Sequence, residues 1–280
     1  MAETVVNLTV IGDRSCSTTR TYLAHLKAAG YRPRRLWLVD FGSQSWRTRL
    51  RKLAAAAAAA AAWRQAPVQQ APYAELCTRL QVQAGYSPID HTSTWRPSDY
   101  AQEVRSFRAH DFDDPLLHAH MQRAGDTAFL YTNGGRVPAV LLERPEIRVL
   151  HIHPGIVPDL RGSDCLLWSA AVRRQLGVSC FYMSAGIDEG ALIGQREFAL
   201  PRLPALGPML ESGDEPMAYR ALLYAVDPHL RAQLLVDVLR THQGADLRRL
   251  PAREQPHASR PAYLWMHPRL RRQVMKESFL

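Results

Sequence analysis

The segment from Arg148 to Gly190 constrains the fold more than any other part of this chain. It opens with a short apolar run from Val149 to Ile152, which predicts a buried strand. Pro154-Gly155 follows directly and ends that strand, because this dipeptide is a strong turn signal. A buried strand that stops at a defined turn indicates a sheet with a structured edge.

Two histidines mark the end of this strand. Side chains alternate along a strand, so His151 and His153 are expected on one face, with Leu150 and Ile152 on the other. In an open α/β sheet, ligands bind at the carboxyl ends of the strands. The pattern therefore predicts a pair of imidazoles at a ligand-binding edge.

The rest of the segment predicts an acid near these imidazoles. Cys165 to Gln175 has helical apolar spacing, Gly177 to Met183 is a second β-rich run, and Gly186 to Gly190 is a tight turn that contains Asp188. If the two strands are parallel and joined by the helix, Asp188 returns close to His153. A neighbouring acid fixes the tautomer of an imidazole and raises its basicity, as general base catalysis requires.

These motifs resemble the catalytic core of the folate-dependent formyltransferases, the superfamily of glycinamide ribonucleotide, methionyl-tRNA and nucleotide-sugar N-formyltransferases. That family has Asn-x-His at a strand end, a loop with Leu-Pro and Arg-Gly, a Gly-Val strand and a Gly-x-Asp-x-Gly turn. The chain has His151-Ile152-His153, then the loop from Pro154 to Gly162 (PGIVPDLRG), Gly177-Val178 and the turn from Gly186 to Gly190 (GIDEG). The order and spacing of the motifs match, while His151 occupies the position of the family's Asn.

The resemblance implies an α/β fold with a doubly wound, mostly parallel sheet, and an N-formyltransferase activity that needs no metal. The formyl donor would be 10-formyltetrahydrofolate, and the acceptor an amine of a small molecule. His153 and Asp188 match the catalytic His and Asp. His151 would donate to the formyl oxygen in place of Asn, which an imidazole N–H can also do. An imidazole differs from an amide in reach and pKa. The replacement of the family's Asn by His151 is therefore expected to affect the donor, the rate or the reaction itself.

A loop earlier in the chain is the candidate folate-binding segment. Asp126 to Thr132 predicts a strand that ends in Asn133-Gly134-Gly135. By resemblance to the family, Asn133, Gly134, Gly135 and Val137 are the candidate cofactor-binding residues. A plain turn between a strand and a helix would favour glycine here as well.

The amino-terminal region predicts a β-α-β unit, the usual start of a doubly wound sheet. Val5 to Ile11 and Leu36 to Val39 are the strands, and a helix begins at Ser17 or Thr18 and continues to about Ala29. Residues 1–243 are expected to form the formyltransferase-like domain, with 244–280 as an extension that packs on it. The remaining predicted helices are Trp46–Gln65, most of Tyr100–Gly125, Met217–Val226, and one that continues to Thr241 with Asp227 as its N-cap. The remaining predicted strands are Ala191–Leu200 and one of two alternatives, Leu80–Val82 or Pro88–Thr92.

Composition limits the setting and the partners. The net charge of +9 comes almost entirely from arginine, which favours anionic small molecules, although such a bias also follows from genomic composition. The absence of a dense basic run argues against nucleic acid. The carboxy-terminal extension is also short for the barrel domain of methionyl-tRNA formyltransferases, which argues against tRNA. No run approaches 18 consecutive strongly apolar residues, and the amino terminus lacks a charged region before an apolar one, so neither a membrane span nor a signal peptide is expected. Four separated cysteines predict reduced thiols in the cytoplasm.

Three other functions are compatible with the same residues. His-x-His with a distant Asp is also a metal-ligand pattern, as in metal-dependent hydrolases. The fold can also hydrolyse formyltetrahydrofolate, with water in place of the amine. Finally, the change of Asn to His at His151 is compatible with a binding protein that has no activity.

Overall fold

A computed structural model describes most of the chain. The described residues are 3–12, 16–41, 71–89, 95–110, 112–132, 137–256 and 261–280. The predicted helix at Trp46–Gln65 lies outside them.

A seven-stranded sheet forms the centre of the described structure, in the order β3-β2-β1-β4-β5-β6-β7. The first five strands in this order, β3, β2, β1, β4 and β5, pair in parallel with their neighbours within this group. Strand β6 pairs antiparallel with both β5 and β7. The α/β fold with a mostly parallel sheet is therefore confirmed. The strands are β1 Thr4–Gly12, β2 Tyr31–Phe41, β3 Glu103–Ala109, β4 Ala128–Tyr131, β5 Arg148–His153, β6 Leu176–Tyr182 and β7 Leu192–Phe198.

Helices cover both faces of this sheet, as expected for a doubly wound fold. The larger hydrophobic core lies between one face and α1, α2, α5, α7, α8 and α9, and the smaller core lies between the other face and α3 and α4. The helices are α1 Ser17–Ala28, α2 Ala71–Gln83, α3 Pro115–Arg123, α4 Ala139–Leu142, α5 Cys165–Arg173, α6 Gly207–Glu211, α7 Glu215–Ala225, α8 Asp227–Thr241 and α9 Pro268–Phe279.

The alternation of side chains along β5 follows from these two cores. Leu150 and Ile152 belong to the larger core, where burial of each stabilises the fold by about 1.5–3 kcal/mol, and Val149 belongs to the smaller core. The odd-numbered residues of β5 therefore share the face of Val149. His151 and His153 lie on this face, as the sequence predicted.

The predicted β-α-β opening is confirmed. Strand β1 pairs in parallel with β2, and α1 connects them. Gly30 follows the helix with a φ of 80°, a left-handed conformation that glycine adopts without a steric penalty. This residue lets the chain turn into β2.

The structure changes two assignments between residues 71 and 125. Leu80–Val82 belongs to α2, where Leu80 is fully buried, and is not a strand, whereas the alternative strand at Pro88–Thr92 lies only partly within the described residues. Among the described residues of Tyr100–Gly125, which were expected to be mostly helical, only Pro115–Arg123 is an α-helix, and Glu103–Ala109 is the edge strand β3. All residues of this edge strand except Ala109 are exposed or half-buried, so its pattern is weak and its pairing with β2 decides its conformation.

Two predictions for the second half of the chain were wrong. Strand β6 runs antiparallel to β5, although a helix connects them, so Asp188 does not follow the carboxyl end of a parallel strand. Asp227 is not a side-chain N-cap, since its carboxylate forms an ion pair with Arg231 at 2.6 Å inside the helix. The strand at Ala191–Leu200 and the helices that begin near Met217 and Asp227 are confirmed as β7, α7 and α8.

The carboxy-terminal residues contact the main body in several places. Helix α9 packs against α5, α6 and α7. The backbone N–H of Tyr263 donates to the Arg161 carbonyl at 2.7 Å, and the Ser163 N–H donates to the Tyr263 carbonyl at 2.9 Å. The tail is thus attached to the loop that follows β5.

Candidate active site

Strand β5 brings the two histidines together above the sheet. His151 lies opposite Phe181 and His153 opposite Ser179 in the antiparallel register with β6. The two imidazole ring centroids are 6.2 Å apart. His151 is half-buried, whereas His153 is only 3% exposed. The two imidazoles therefore lie close together on one face of the sheet, as the His-x-His spacing predicted.

The imidazole of His153 has a fixed orientation. Its Nε2 lies 3.0 Å from the carbonyl oxygen of Leu160, and its Nδ1 lies 3.5 Å from Oδ2 of Asp188. Because a carbonyl oxygen only accepts hydrogen bonds, Nε2 carries the hydrogen of the neutral ring. Nδ1 is then the one atom of His153 that can accept a proton, and it faces the carboxylate.

Asp188 reaches this position through a loop that turns back over the sheet. Strand β6 ends beside the start of β5, since Tyr182 pairs with Leu150. The loop after β6 must therefore reverse to bring Asp188 to His153. At Gly190 an added Cβ would lie 1.6 Å from the Tyr182 carbonyl oxygen, so only glycine fits there.

Hydrogen bonds from two other segments hold Asp188. The Gly162 N–H donates to Oδ2 at 2.9 Å, and the side-chain amide of Gln255 donates to the backbone carbonyls of Asp188 and Gly190 at 3.0 and 2.7 Å. Asp188 itself has a φ of 56°, which costs free energy in a residue other than glycine. These contacts keep the carboxylate beside His153 against that cost.

Polar side chains that the sequence did not single out fix the loop after β5. The Ser179 hydroxyl donates to the Gly155 carbonyl at 2.6 Å and accepts from the Val157 N–H at 3.1 Å. The side-chain amide of Gln195 donates to the Val157 carbonyl at 2.7 Å. A serine inside the apolar run of β6 was the available signal for Ser179, because a fully buried hydroxyl needs a partner.

Burial decides the charge state of the two imidazoles. It lowers the pKa of His153, and the Asp188 carboxylate raises this pKa in part. Burial also lowers the pKa of His151 well below its ordinary value, and the raising effect of Asp188 is again smaller. Both histidines are therefore neutral near pH 7.

One ring nitrogen of this site lacks a partner within the described part of the chain. Nδ1 of His151 is buried and has no hydrogen-bond partner among these residues. One ring nitrogen of each histidine and one carboxylate oxygen of Asp188 lie within 4.8 Å of one another. The site thus combines a base, an acid and an available imidazole nitrogen, and it also has the ligand types of a metal centre.

The predicted folate-binding residues are only partly described. Asn133, Gly134 and Gly135 lie outside the described residues. Val137 is 2% exposed, and its side chain packs in the smaller core with Leu141. A role of Val137 at a ligand would therefore use its backbone, and the assignment of this loop to the cofactor stays a prediction.

The described helices include none that is both long enough and apolar enough to cross a membrane. All four cysteines are free thiols.

Comparison with known proteins supports the resemblance that the motifs indicated. No family model matches the chain. Over 90 residues, the sequence is 24% identical to a methionyl-tRNA formyltransferase of Syntrophus aciditrophicus (strain SB). The chain resembles the formyltransferases. This match covers 31% of the chain and 29% of the relative, so the chain spans less than a third of that protein's length.

Solved formyltransferase structures show a distant likeness. A sugar N-formyltransferase from a Shewanella species is 13% identical, with 92% of this chain and 74% of that chain covered and a TM-score of 0.42. A phosphoribosylglycinamide formyltransferase from Streptococcus pneumoniae is 15% identical, with 86% and 98% covered and a TM-score of 0.43. PseJ from Anoxybacillus kamchatkensis, in complex with a UDP-linked formamido sugar and tetrahydrofolate, is 17% identical, with 56% and 71% covered and a TM-score of 0.37. Likeness at this level carries no information on ligands or activity.

Proposed function

We propose that the protein is an N-formyltransferase that moves a formyl group from 10-formyltetrahydrofolate to an amine of a small-molecule acceptor. The observation that supports this proposal is the pairing of His153 with Asp188, at 3.5 Å, beside the available imidazole of His151. This arrangement provides a proton acceptor, a charge that stabilises the protonated base, and a group that can meet a carbonyl oxygen.

The available nitrogen of His151 is the feature that fits a formyl donor. Nδ1 of His151 is buried without a partner among the described residues, and a bound carbonyl oxygen would give it one. The donor supplies a formyl group attached to nitrogen, and the chain supplies the proton transfers. The basic composition favours an acceptor with an anionic group.

His153 would remove the proton of the attacking amine through Nδ1. Its Nε2 is held by the Leu160 carbonyl, so the ring cannot turn to use the other nitrogen without losing that hydrogen bond. Protonation gives an imidazolium, whose charge the Asp188 carboxylate stabilises. The same Nδ1–H would then return the proton to the leaving nitrogen.

His151 would donate a hydrogen bond to the oxygen that becomes negative as the amine attacks. Because burial lowers its pKa, His151 acts as a neutral N–H donor and not as an imidazolium. A neutral imidazole with its hydrogen directed at this oxygen performs the task that the resemblance assigns to Asn.

The test is an assay of formyl transfer from 10-formyltetrahydrofolate to a set of amines, with His153→Ala as the principal variant. We expect at least a 10²-fold loss of turnover, roughly the contribution of a general base. His118→Ala is the matched control, because His118 lies on α3 and contacts the Phe112 carbonyl. Near-normal transfer by a folded His153→Ala protein would contradict the mechanism.

The same assay separates transfer from hydrolysis. A formyltetrahydrofolate hydrolase would release formate at full rate without an amine, whereas a transferase needs the acceptor. A protein that binds the donor without turnover, and binds equally well as His153→Ala, would be a binding protein. Location in the cytoplasm stays a prediction from the sequence.

A further inference from the structure

The three polar groups of the site are arranged as a metal-binding set as well as a catalytic one. His151, His153 and Asp188 each offer one ligand atom, and these atoms lie within 4.8 Å of one another. We propose that these three residues bind a divalent cation of the Zn²⁺ class. Metal binding goes beyond formyl transfer and is an alternative state of the same residues, because Nδ1 of His153 cannot accept a proton while it binds a cation.

His153 has the orientation of a metal-binding histidine. Such residues almost always donate their second ring N–H to a carbonyl, carboxylate or water, which points the other nitrogen at the metal. In this protein Nε2 donates to the Leu160 carbonyl at 3.0 Å, and Nδ1 points toward Asp188. The outer contact that a metal ligand requires is therefore already formed.

Asp188 is oriented in the same way. Its Oδ2 accepts the Gly162 N–H at 2.9 Å, and Gln255 holds its backbone carbonyl. A carboxylate that is fixed by hydrogen bonds loses little freedom when it binds a cation. Two of the three ligands are thus held in place before any metal arrives.

His151 supplies the third ligand and is the position where the chain departs from the formyltransferase pattern. An amide nitrogen is a poor metal ligand, whereas a neutral imidazole is among the commonest. Nδ1 of His151 is buried and has no hydrogen-bond partner among the described residues. A cation would give this nitrogen a partner.

The spacing and ligand types favour Zn²⁺ and similar cations. Ligand atoms around tetrahedral zinc are about 3.3 Å apart, which follows from bond lengths near 2.0–2.1 Å. The 3.5 Å between Nδ1 of His153 and Oδ2 of Asp188 is close to this value. The other pairs lie within 4.8 Å, so they need to approach by no more than about 1.5 Å. Two imidazoles and one carboxylate also leave a coordination position open for water or a substrate oxygen.

Titration of the full chain with Co²⁺ tests the proposal, because Co²⁺ bound by imidazole and carboxylate absorbs visible light. After removal of metal with a chelator, we expect one Co²⁺ per chain, displaced by one equivalent of Zn²⁺. His151→Asn restores the family residue and keeps an amide donor, yet it should weaken Co²⁺ binding at least about tenfold, as should Asp188→Asn. His120→Ala is the control, because His120 lies on α3 against Trp37 and Phe107.

The proposal is overturned if the wild-type chain shows no Co²⁺ absorption, or if both His151→Asn and Asp188→Asn bind Co²⁺ as tightly as wild type. Thermal unfolding of each variant in chelator shows whether it is folded, and the use of two independent ligand variants keeps the test valid if one is not. Since the readout is metal binding, its failure leaves the formyl-transfer assay unaffected, and the reverse also holds.

Discussion

Gly155 lies beside the hydrogen bond that orients His153, which makes Gly155→Ala an informative substitution. A Cβ at this position would lie 2.5 Å from the Leu160 carbonyl oxygen and 2.9 Å from Nε2 of His153, the two ends of the 3.0 Å hydrogen bond. It would also lie 3.0 Å from Cβ of Cys165, so there is no free space in that direction. The added methyl must push the loop and the imidazole apart.

The size of the effect follows from these contacts. Insertion of one carbon into a close-packed region costs about 1–3 kcal/mol of stability, and loss of the His153–Leu160 hydrogen bond costs about 1 kcal/mol more. Without that hydrogen bond, Nδ1 is no longer held toward Asp188. We therefore expect kcat to fall about 10²-fold, the lower end of a general base contribution, with a smaller change in KM for the amine.

Urea unfolding and steady-state formyl transfer measure the two effects, and Gly194→Ala is the control. Gly194 lies in β7, where an added Cβ would meet Cγ2 of Val238 at 3.7 Å, an ordinary van der Waals contact. This control should stay within about 0.5 kcal/mol of wild type. If Gly155→Ala matches Gly194→Ala in both stability and kcat, then the hydrogen bond between His153 and Leu160 does not position the base.

Two further predictions concern residues away from the imidazoles. Asp114 accepts the N–H groups of His110 and Leu116 at 2.8 and 2.9 Å, and these bonds lower its pKa, so Asp114→Ala should cost about 1–2 kcal/mol at pH 7. Because a lowered carboxylate pKa stabilises the fold above the unfolded pKa of about 4, urea unfolding should show this difference disappear as the pH falls through the folded-state pKa. Gln255→Ala removes two of the hydrogen bonds that hold the Asp188 turn, so kcat should fall with little change in KM. The exposed Gln273→Ala should leave both parameters unchanged, and equal kinetics in the two variants would contradict a positioning role for Gln255.

Local patterns were enough where neighbouring residues decide the conformation. The apolar alternation in β5 predicted the shared face of His151 and His153, because side-chain direction along a strand depends only on the backbone. Strong helix and turn signals likewise predicted the β-α-β opening, in which the structure gives Gly30 a left-handed conformation. The proximity of His153 and Asp188 was expected from two parallel strands, and the structure places these residues together although β6 runs antiparallel to β5.

Local patterns failed where a distant partner decides the conformation. The residues of strand β3 were expected to be helical. They form a strand because their backbone pairs with β2, and their mixed polar pattern does not reveal this pairing. The antiparallel direction of β6 also depends on its neighbours, because a connecting helix is compatible with either direction.

The sequence by itself determined which chemical groups the site contains, and the tertiary structure decided how they can act. The type and order of His151, His153 and Asp188 are visible in the chain, as is the change from Asn to His. The Leu160 carbonyl leaves Nδ1 as the nitrogen of His153 that can accept a proton, and the position of Asp188 depends on Gly162 and Gln255. The neutral state of both imidazoles depends on burial. The residues that hydrogen-bond to these side chains and bury them come from separate parts of the chain, so they contact the site only in the folded structure.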